Sequence, residues 1–302
     1  MKGSGVGALT ARIQQQQQQQ RGLCKCGCGL LLAQCPQLKL YGCREWVSFL
    51  GRFGGRRFQL PASPLSGKMM VIVEPRCHPF LPLVIANFAT QLCPLGWSLL
   101  VVHGENRKWL ESHPAFRPSN PECVKWMDLG KPNLTISGYN SLFLDRRFWR
   151  RIYDLGGREA LIFQTDTLLL DGARLDAEYA NDRYDYVGAP WVRIYCGARV
   201  GNGGLSLRSV SKMMQYCKTI YEADSAPGQL GSVLAHFRNE DVQFAIVASC
   251  DPSGRVPDVG VASGFSAETL LLDPNPCGLH KPTCNRDAVL SLLVRSDDRR
   301  SS

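Results

Sequence analysis

From Lys68 onward the chain alternates short, wholly apolar runs with stretches of helical periodicity, and this alternation does most to narrow its fold. Residues 69–74 (Met-Met-Val-Ile-Val-Glu) are stopped by Pro75, the pattern of a strand buried on both faces. Between residues 78 and 93 apolar side chains recur at helical spacing (Leu81, Val84, Ile85, Phe88, Ala89, Leu92), which predicts a helix broken by Pro94. Residues 97–102 read as a second buried strand ending at His103-Gly104. A short helix over 105–111, a strand near 123–127 and a helix over about 137–152 are expected next. Residues 160–163 form a further all-apolar strand that runs into Gln164-Thr165-Asp166. Strands alternating with helices imply right-handed βαβ crossovers, hence an α/β fold with a mostly parallel sheet flanked by helices. After residue 180 the alternation breaks down, and the second half is expected to pack, α+β-like, on the same sheet as one domain.

Charge separates this region from what precedes it. Of the 302 residues, residues 1–67 hold nine Lys and Arg against the single acid Glu45, whereas residues 68–302 hold 26 basic and 25 acidic side chains. A chain that grips phosphate backbones carries its positive charge on the folded part, so no nucleic-acid partner is expected. Residues 1–67, with a glutamine tract at 14–20 and Cys24, Cys26, Cys28, Cys35 and Cys43, read as a disordered low-complexity extension. The Cys spacing does not match paired zinc ligands, and the extension has no His to complete a set. The expected organisation is an extension over 1–67, a folded domain over 68–290 and a tail over 291–302. No stretch approaches the roughly 20 apolar residues of a membrane helix, so no membrane span is expected. The chain as written reads as soluble, cytoplasmic or organellar, with a Golgi lumen placement only for an incomplete amino terminus.

In open α/β sheets ligands bind just past the carboxyl ends of the strands. The polar residues there are Glu74 and Arg76, His103 to Asn106, and Gln164 to Asp166. Asp166, held at a strand end, suits a divalent cation bridging protein oxygen to substrate phosphate; it equally suits capping the next turn. In Val200-Gly201-Asn202-Gly203-Gly204 the glycines permit close backbone approach to a ligand, or simply a tight turn, before an alternating strand. The spacing is neither a P-loop nor a Rossmann fingerprint. Glu240-Asp241 opens a helical stretch, where acids are favoured by the helix dipole and where one could act as a general base. His280 falls in a Pro- and Cys-rich segment expected to be an exposed loop, either solvated or ligating a metal or phosphate.

Taken together, the blocks resemble one family. They are Val-Glu-Pro-Arg (73–76), Tyr-Asn (139–140), Phe-Trp (148–149), Leu-Ile-Phe-Gln-Thr-Asp (161–166) and Tyr-Asp-Tyr-Val-Gly-Ala-Pro-Trp (184–191). They continue with Val-Gly-Asn-Gly-Gly-Leu-Ser-Leu-Arg (200–208), Glu-Asp-Val (240–242), Phe-Ser-x-Glu (265–268) and Gly-x-His-Lys (278–281). The run resembles a domain family of unknown function whose members look like GT-A fold glycosyltransferases. The resemblance implies transfer of a sugar from a nucleotide-diphosphate sugar to a hydroxyl of a glycan, lipid or protein acceptor. It matches Asp166 to the last acid of the DxD metal element and His280 to the carboxyl-terminal metal ligand, for Mn²⁺ or Mg²⁺. Gln164 departs from the element's first acid. The resemblance further matches Asp241, with Glu240 as its alternate, to the catalytic base, and puts Asn202, Gly203 and Gly204 on the donor or acceptor side. With Glu74, Gln164 and Arg76, the last a partner for the diphosphate or for the base, Trp191 completes the expected binding set, stacking on a sugar face or serving the core or a turn. An inactive relative that binds a glycan or nucleotide is the competing reading. Nucleotidyl transfer would want a Gly-rich, Lys- or Arg-bearing loop after the first strand, which Glu74-Pro75-Arg76-Cys77-His78 is not.

Overall fold

The computed structural model describes residues 44–62, 66–225, 228–281 and 292; the glutamine tract and the five cysteines of the expected extension lie outside them. Helix α1 (Arg44–Gly51) precedes β1 (Lys68–Val73), α2 (Leu81–Leu92), β2 (Ser98–His103), α3 (Arg107–Ser112) and β3 (Lys125–Asp128). Helices α4 (Ile136–Leu144) and α5 (Arg146–Asp154), strands β4 (Glu159–Phe163) and β5 (Thr167–Leu169), and α6 (Gly172–Tyr179) follow. Then come β6 (Tyr186–Gly188), the hairpin of β7 (Pro190–Tyr195) and β8 (Ala198–Val200), β9 (Leu205–Ser209) and α7 (Val210–Ser225). Helices α8 (Gln229–His236), α9 (Glu240–Cys250) and α10 (Val259–Phe265) and strands β10 (Ser266–Ala267) and β11 (Gly278–His280) complete the order.

The central sheet runs β3-β2-β1-β4-β9-β6. Strands β3, β2, β1 and β4 are parallel, as the alternation predicts, and β9 pairs antiparallel with both β4 and β6. Period-2 geometry sends successive side chains to opposite faces. Met70 and Ile72 of β1 accordingly join the cluster of Val84, Phe88 and Leu92 on α2. Met69, Val71 and Val73 join the cluster of Trp149, Met213 and Phe244 from α5, α7 and α9. Helices on both faces explain why β1, β2 and β4 read as unbroken apolar runs. The ring of Phe88 stacks on Phe163 at 4.3 Å, which ties α2 to the last residue of β4.

Three expectations are corrected. The helix expected over 137–152 is two helices, because Asp145 is extended (φ −80°, ψ 113°) and its carboxylate caps α5 by accepting from Arg147 N at 2.9 Å. The break leaves Phe143 O free to accept from the buried indole of Trp149 at 2.6 Å. Strand β9 does not alternate: all five residues are buried, since it lies inside the sheet with helices on both sides. The core also begins before Lys68. Trp46, Phe49, Leu50 and Phe53 of the α1 region, with Phe58 and Leu60, are buried in the α2 cluster. Asn120 secures this strap, giving Nδ2 to Leu60 O at 2.7 Å and taking Leu60 N on Oδ1 at 2.9 Å. At the other end Leu292, assigned to the tail, is buried in the same cluster.

Trp46→Ala should cost about 3–5 kcal/mol in urea unfolding, as for other buried aromatic truncations. A loss within about 0.5 kcal/mol would return this segment to the status of an appendage.

Candidate active site

The sheet order reverses between β1 and β4, so the crevice at their carboxyl ends is where a ligand is expected to sit. Glu74 follows β1 and is buried; its carboxylate takes Arg76 Nε and Nη2 at 2.8 Å each, a bidentate pair. Asn106 locks this loop by donating to Glu74 O at 2.9 Å and Arg76 O at 2.6 Å. After β4, Gln164 O accepts from Thr167 Oγ1 at 2.6 Å, closing a turn that projects Asp166.

Two antiparallel pairings bring the second half of the chain to this place. Leu205 pairs with Phe163, which sets Asn202, Gly203 and Gly204 beside the end of β4. His280 pairs with Thr167 across β11 and β5, which sets its ring against Asp166. The expected exposed loop at His280 is thus corrected: the residue is 2% exposed, within a strand. Its Nε2 is 3.5 Å from Asp166 Oδ1 and its Nδ1 is 3.2 Å from Glu268 Oε1. Burial opposes charge on the ring, but the two carboxylates outweigh it and raise the His280 pKa. Burial likewise opposes ionisation of Asp166, yet His280 and Lys281 hold its carboxyl below the ordinary value. A β-carbon at Gly204 would overlap the His280 ring, so the loop needs glycine there. Gly201, at φ +138°, supplies the backbone conformation that enters the turn.

No group of three or more His, Cys, Asp or Glu side chains able to hold a metal ion is found among the described residues. Asp166 Oδ1 and both ring nitrogens of His280 are nevertheless buried without an aligned hydrogen bond. One carboxylate oxygen and one imidazole nitrogen, facing each other at the cleft wall, fit the protein share of a Mg²⁺ or Mn²⁺ site. Such ions take one or two protein carboxylates and fill the rest of the shell with water and substrate phosphate.

The opposite charge pattern governs Glu240 and Asp241 at the start of α9. Glu240 binds Arg208 of β9 through Oε2 to Nη1 at 2.7 Å and Oε1 to Nη2 at 3.0 Å, with side-chain exposures of 3% and 0%. Arg208 also lies over the rings of Phe143, Trp149, Tyr186 and Phe244. Glu240 is therefore spent on a buried ion pair, and its role as alternate base is not one its position favours. Asp241 is half-buried, accepts from Gly203 N at 3.1 Å and Val242 N at 2.8 Å, and is pushed by burial above the ordinary carboxylate pKa.

A cleft of about 510 Å³ joins these parts. Glu74, Arg76, Gln164, Asp166, Asn202, Gly203, Gly204, Glu240, Asp241 and His280 all line it, as the sequence reading grouped them. Trp191 does not: it packs edge-on to Tyr195 in the β7–β8 hairpin, 4.9 Å between centroids, so its stacking role is set aside. Also on the wall are His78, Tyr139, Asn140 and Lys281, and behind it Glu268, none of which sequence reasoning put in the site. Tyr139, Asn140, Glu268 and Lys281 fall inside the quoted blocks; His78 carried no signal. The buried His78 ring accepts from Phe80 N on Nδ1 at 3.3 Å, and burial pushes its pKa down to about 4.

Arg208→Met should cost about 3–5 kcal/mol by stranding Glu240, and adding Glu240→Met should recover most of it. Unchanged unfolding of the single variant would remove the pair from its central role. His78 gives a pH signature. Above its ordinary value of 6.5 neither state is protonated, while between 6.5 and about 4 the unfolded chain takes up the proton first. Stability should therefore fall by up to about 3 kcal/mol as pH drops through that window, and His78→Gln should flatten the fall. A slope identical in the variant, followed by urea unfolding at each pH, counts against it.

Residues 127–280 match the family described as Protein of unknown function (DUF5672). No curated protein matches the chain. Among solved structures the chain is similar to the apo-form glycosyltransferase GlyE of Streptococcus pneumoniae TIGR4, at 13% identity and TM-score 0.39, covering 70% of this chain and 54% of that one. It is similar to the galactosyltransferase LgtC in complex with donor and acceptor sugar analogs, at 12% and 0.49, covering 76% and 94%. It is also similar to the mannosyltransferase PcManGT from Pyrobaculum calidifontis in complex with GDP-Man and Mn²⁺, at 13% and 0.36, covering 74% and 65%. The chain spans about half the length of the first and just under two thirds of the third. The family match takes in half of the chain, and the chain belongs to the family described as Protein of unknown function (DUF5672).

Proposed function

We propose that the chain is a glycosyltransferase that moves a sugar from a nucleotide-diphosphate sugar to a hydroxyl acceptor with the help of Mn²⁺ or Mg²⁺. One observation carries the reading: a strand-end carboxylate with a facing imidazole, and a second carboxylate raised in pKa, line the same cleft at the switch point of an α/β sheet. The sequence blocks that resemble glycosyltransferases contain all three residues.

Asp166 and His280 would hold the cation, which when bound supplies charge neutralisation to the departing diphosphate. Arg76, fixed by Glu74, offers guanidinium N–H groups to the same phosphates. In the transfer the bond from the sugar carbon to the diphosphate oxygen breaks, that oxygen keeps the electron pair, and the acceptor oxygen bonds to the carbon. The acceptor proton goes to Asp241. Its raised pKa brings it nearer the working pH, which favours a general base, and the Gly203 and Val242 amides fix its orientation. Gln164 supplies a neutral amide where the family element carries an acid. That single feature favours the second reading, an inactive domain that binds a glycan or nucleotide. The acceptor class is a glycan, lipid or protein hydroxyl; no helix among the described residues is long and apolar enough to cross a membrane.

A panel of nucleotide-diphosphate sugars with Mn²⁺ tests this. Asp166→Ala should abolish turnover of the donor, and Asp241→Asn should lower transfer by roughly 10²–10⁴-fold. The Asp241→Asn protein should still gain thermal stability from the donor, since binding to the folded state alone raises the melting point. Because only the deprotonated carboxylate acts, wild-type kcat/KM should fall as pH drops through a pKa above the ordinary value of about 4. Donor binding with no turnover in the wild type would favour the inactive reading. Full activity of both variants would discard these roles.

A further inference from the structure

The two edges of the buried His280 ring meet different carboxylates. Nε2 faces Asp166 Oδ1 at the cleft wall, 3.5 Å away. Nδ1 faces Glu268 Oε1 at 3.2 Å, and Glu268 is not part of the cleft lining. Glu268 is itself held: its Oε2 accepts from Asn202 Nδ2 at 2.7 Å, while Asn202 Oδ1 accepts from Gly204 N at 3.0 Å. Gly204 in turn presents no side chain, which lets the ring of His280 lie directly against the loop. The backbone of His280 is pinned by its pairing with Thr167. The ring is thus confined by its backbone pairing, by Gly204 on one face and by the Glu268 carboxylate 3.2 Å from Nδ1, and its Nε2 edge meets Asp166.

An imidazole with two similar edges can flip and exchange its nitrogens, and a carboxylate at one nitrogen settles the tautomer and orientation. We propose that Glu268 is a positioning residue for the cation site: it holds the Nδ1 edge of His280 so that Nε2 is presented beside Asp166. The Asn202–Gly204 turn then serves this clamp rather than the sugar. The Asn202 amide is committed at both ends, which accounts for an Asn between glycines better than a substrate contact does. The inference rests on reading Asp166 and His280 as the pair that holds the cation.

The test is titration of the full chain with Mn²⁺ alone, counting free ion by its electron paramagnetic resonance signal, for wild type, Glu268→Ala, Glu268→Gln and His280→Ala. Glu268→Ala should weaken Mn²⁺ by roughly 10–100-fold, the usual effect of removing such a partner. Glu268→Gln keeps an acceptor for Nδ1–H and should fall between that variant and wild type. Metal-free melting temperatures report folding separately, and if the alanine variant does not fold, a several-fold loss in the folded glutamine variant carries the same weight. Wild-type affinity in both Glu268 variants, with binding lost in His280→Ala, would overturn the positioning role and leave the cation reading intact. A folded wild type that binds no Mn²⁺ would overturn the cation reading, and the role of Glu268 with it.

Discussion

Arg208 carries a full charge in the middle of β9 with no exposed surface, and its ion-pair partner is Glu240 on the first turn of α9. A charge so far from water is tolerable only when paired and hydrogen-bonded on all sides. Here the guanidinium meets a bidentate carboxylate, the Ser206 hydroxyl at 2.9 Å and a box of four aromatic rings. The alternatives are costly, which makes the arrangement specific rather than merely stable. With Glu240 held, the next residue, Asp241, accepts from the Gly203 amide at the mouth of β9. A β-carbon at Gly203 would come within 2.8 Å of Glu240 Oε1, so the same pair dictates glycine there.

Direction of strands does the rest. A parallel sheet gathers its loops at the carboxyl ends, and an antiparallel strand inserted into it delivers its amino end to that edge. Strand β9 does so for the Asn202–Gly204 turn, whereas in the separate small sheet β10-β11-β5 the antiparallel strand β11 brings His280, at its carboxyl end, to Thr167 at the start of β5. Residues 74–76, 164–166, 202–204, 240–241 and 280 therefore share one cleft although the chain separates them widely. Asp166 and His280 could each satisfy other roles alone; both line the cleft, and they face each other there without an aligned hydrogen bond.

Much of the first half was legible. Apolar runs without alternation meant strands covered on both faces, and β1, β2 and β4 lie where those runs do. Errors arose where a local pattern had a non-local cause. The apolar spacing across residues 137–152 is continuous, but Asp145 prefers to cap α5 with its carboxylate, and the periodicity does not register a single cap. His280 sits among Pro and Cys, which reads as loop, yet its strand is completed by β5, whose Thr167 lies far earlier in the chain. The aromatic residues of α1 were hidden by the basic composition around them, and only the surface of α2 shows what they bury against.

By itself the amino-acid sequence determined what depends on neighbours along the chain: the strand and helix periodicities, the carboxylate placed at a strand end, the acids that open α9, and the glycines that allow a sharp turn. The tertiary structure alone decided which of the paired acids is free. Glu240 and Asp241 are adjacent and chemically alike, and only the position of Arg208 commits the first to a buried ion pair and leaves the second on the Gly203 amide. It also decided that Glu268 stands behind His280 and that Trp191 stands elsewhere. Charge, burial and ligation are properties of surroundings, and those surroundings are assembled from segments that no local pattern can see.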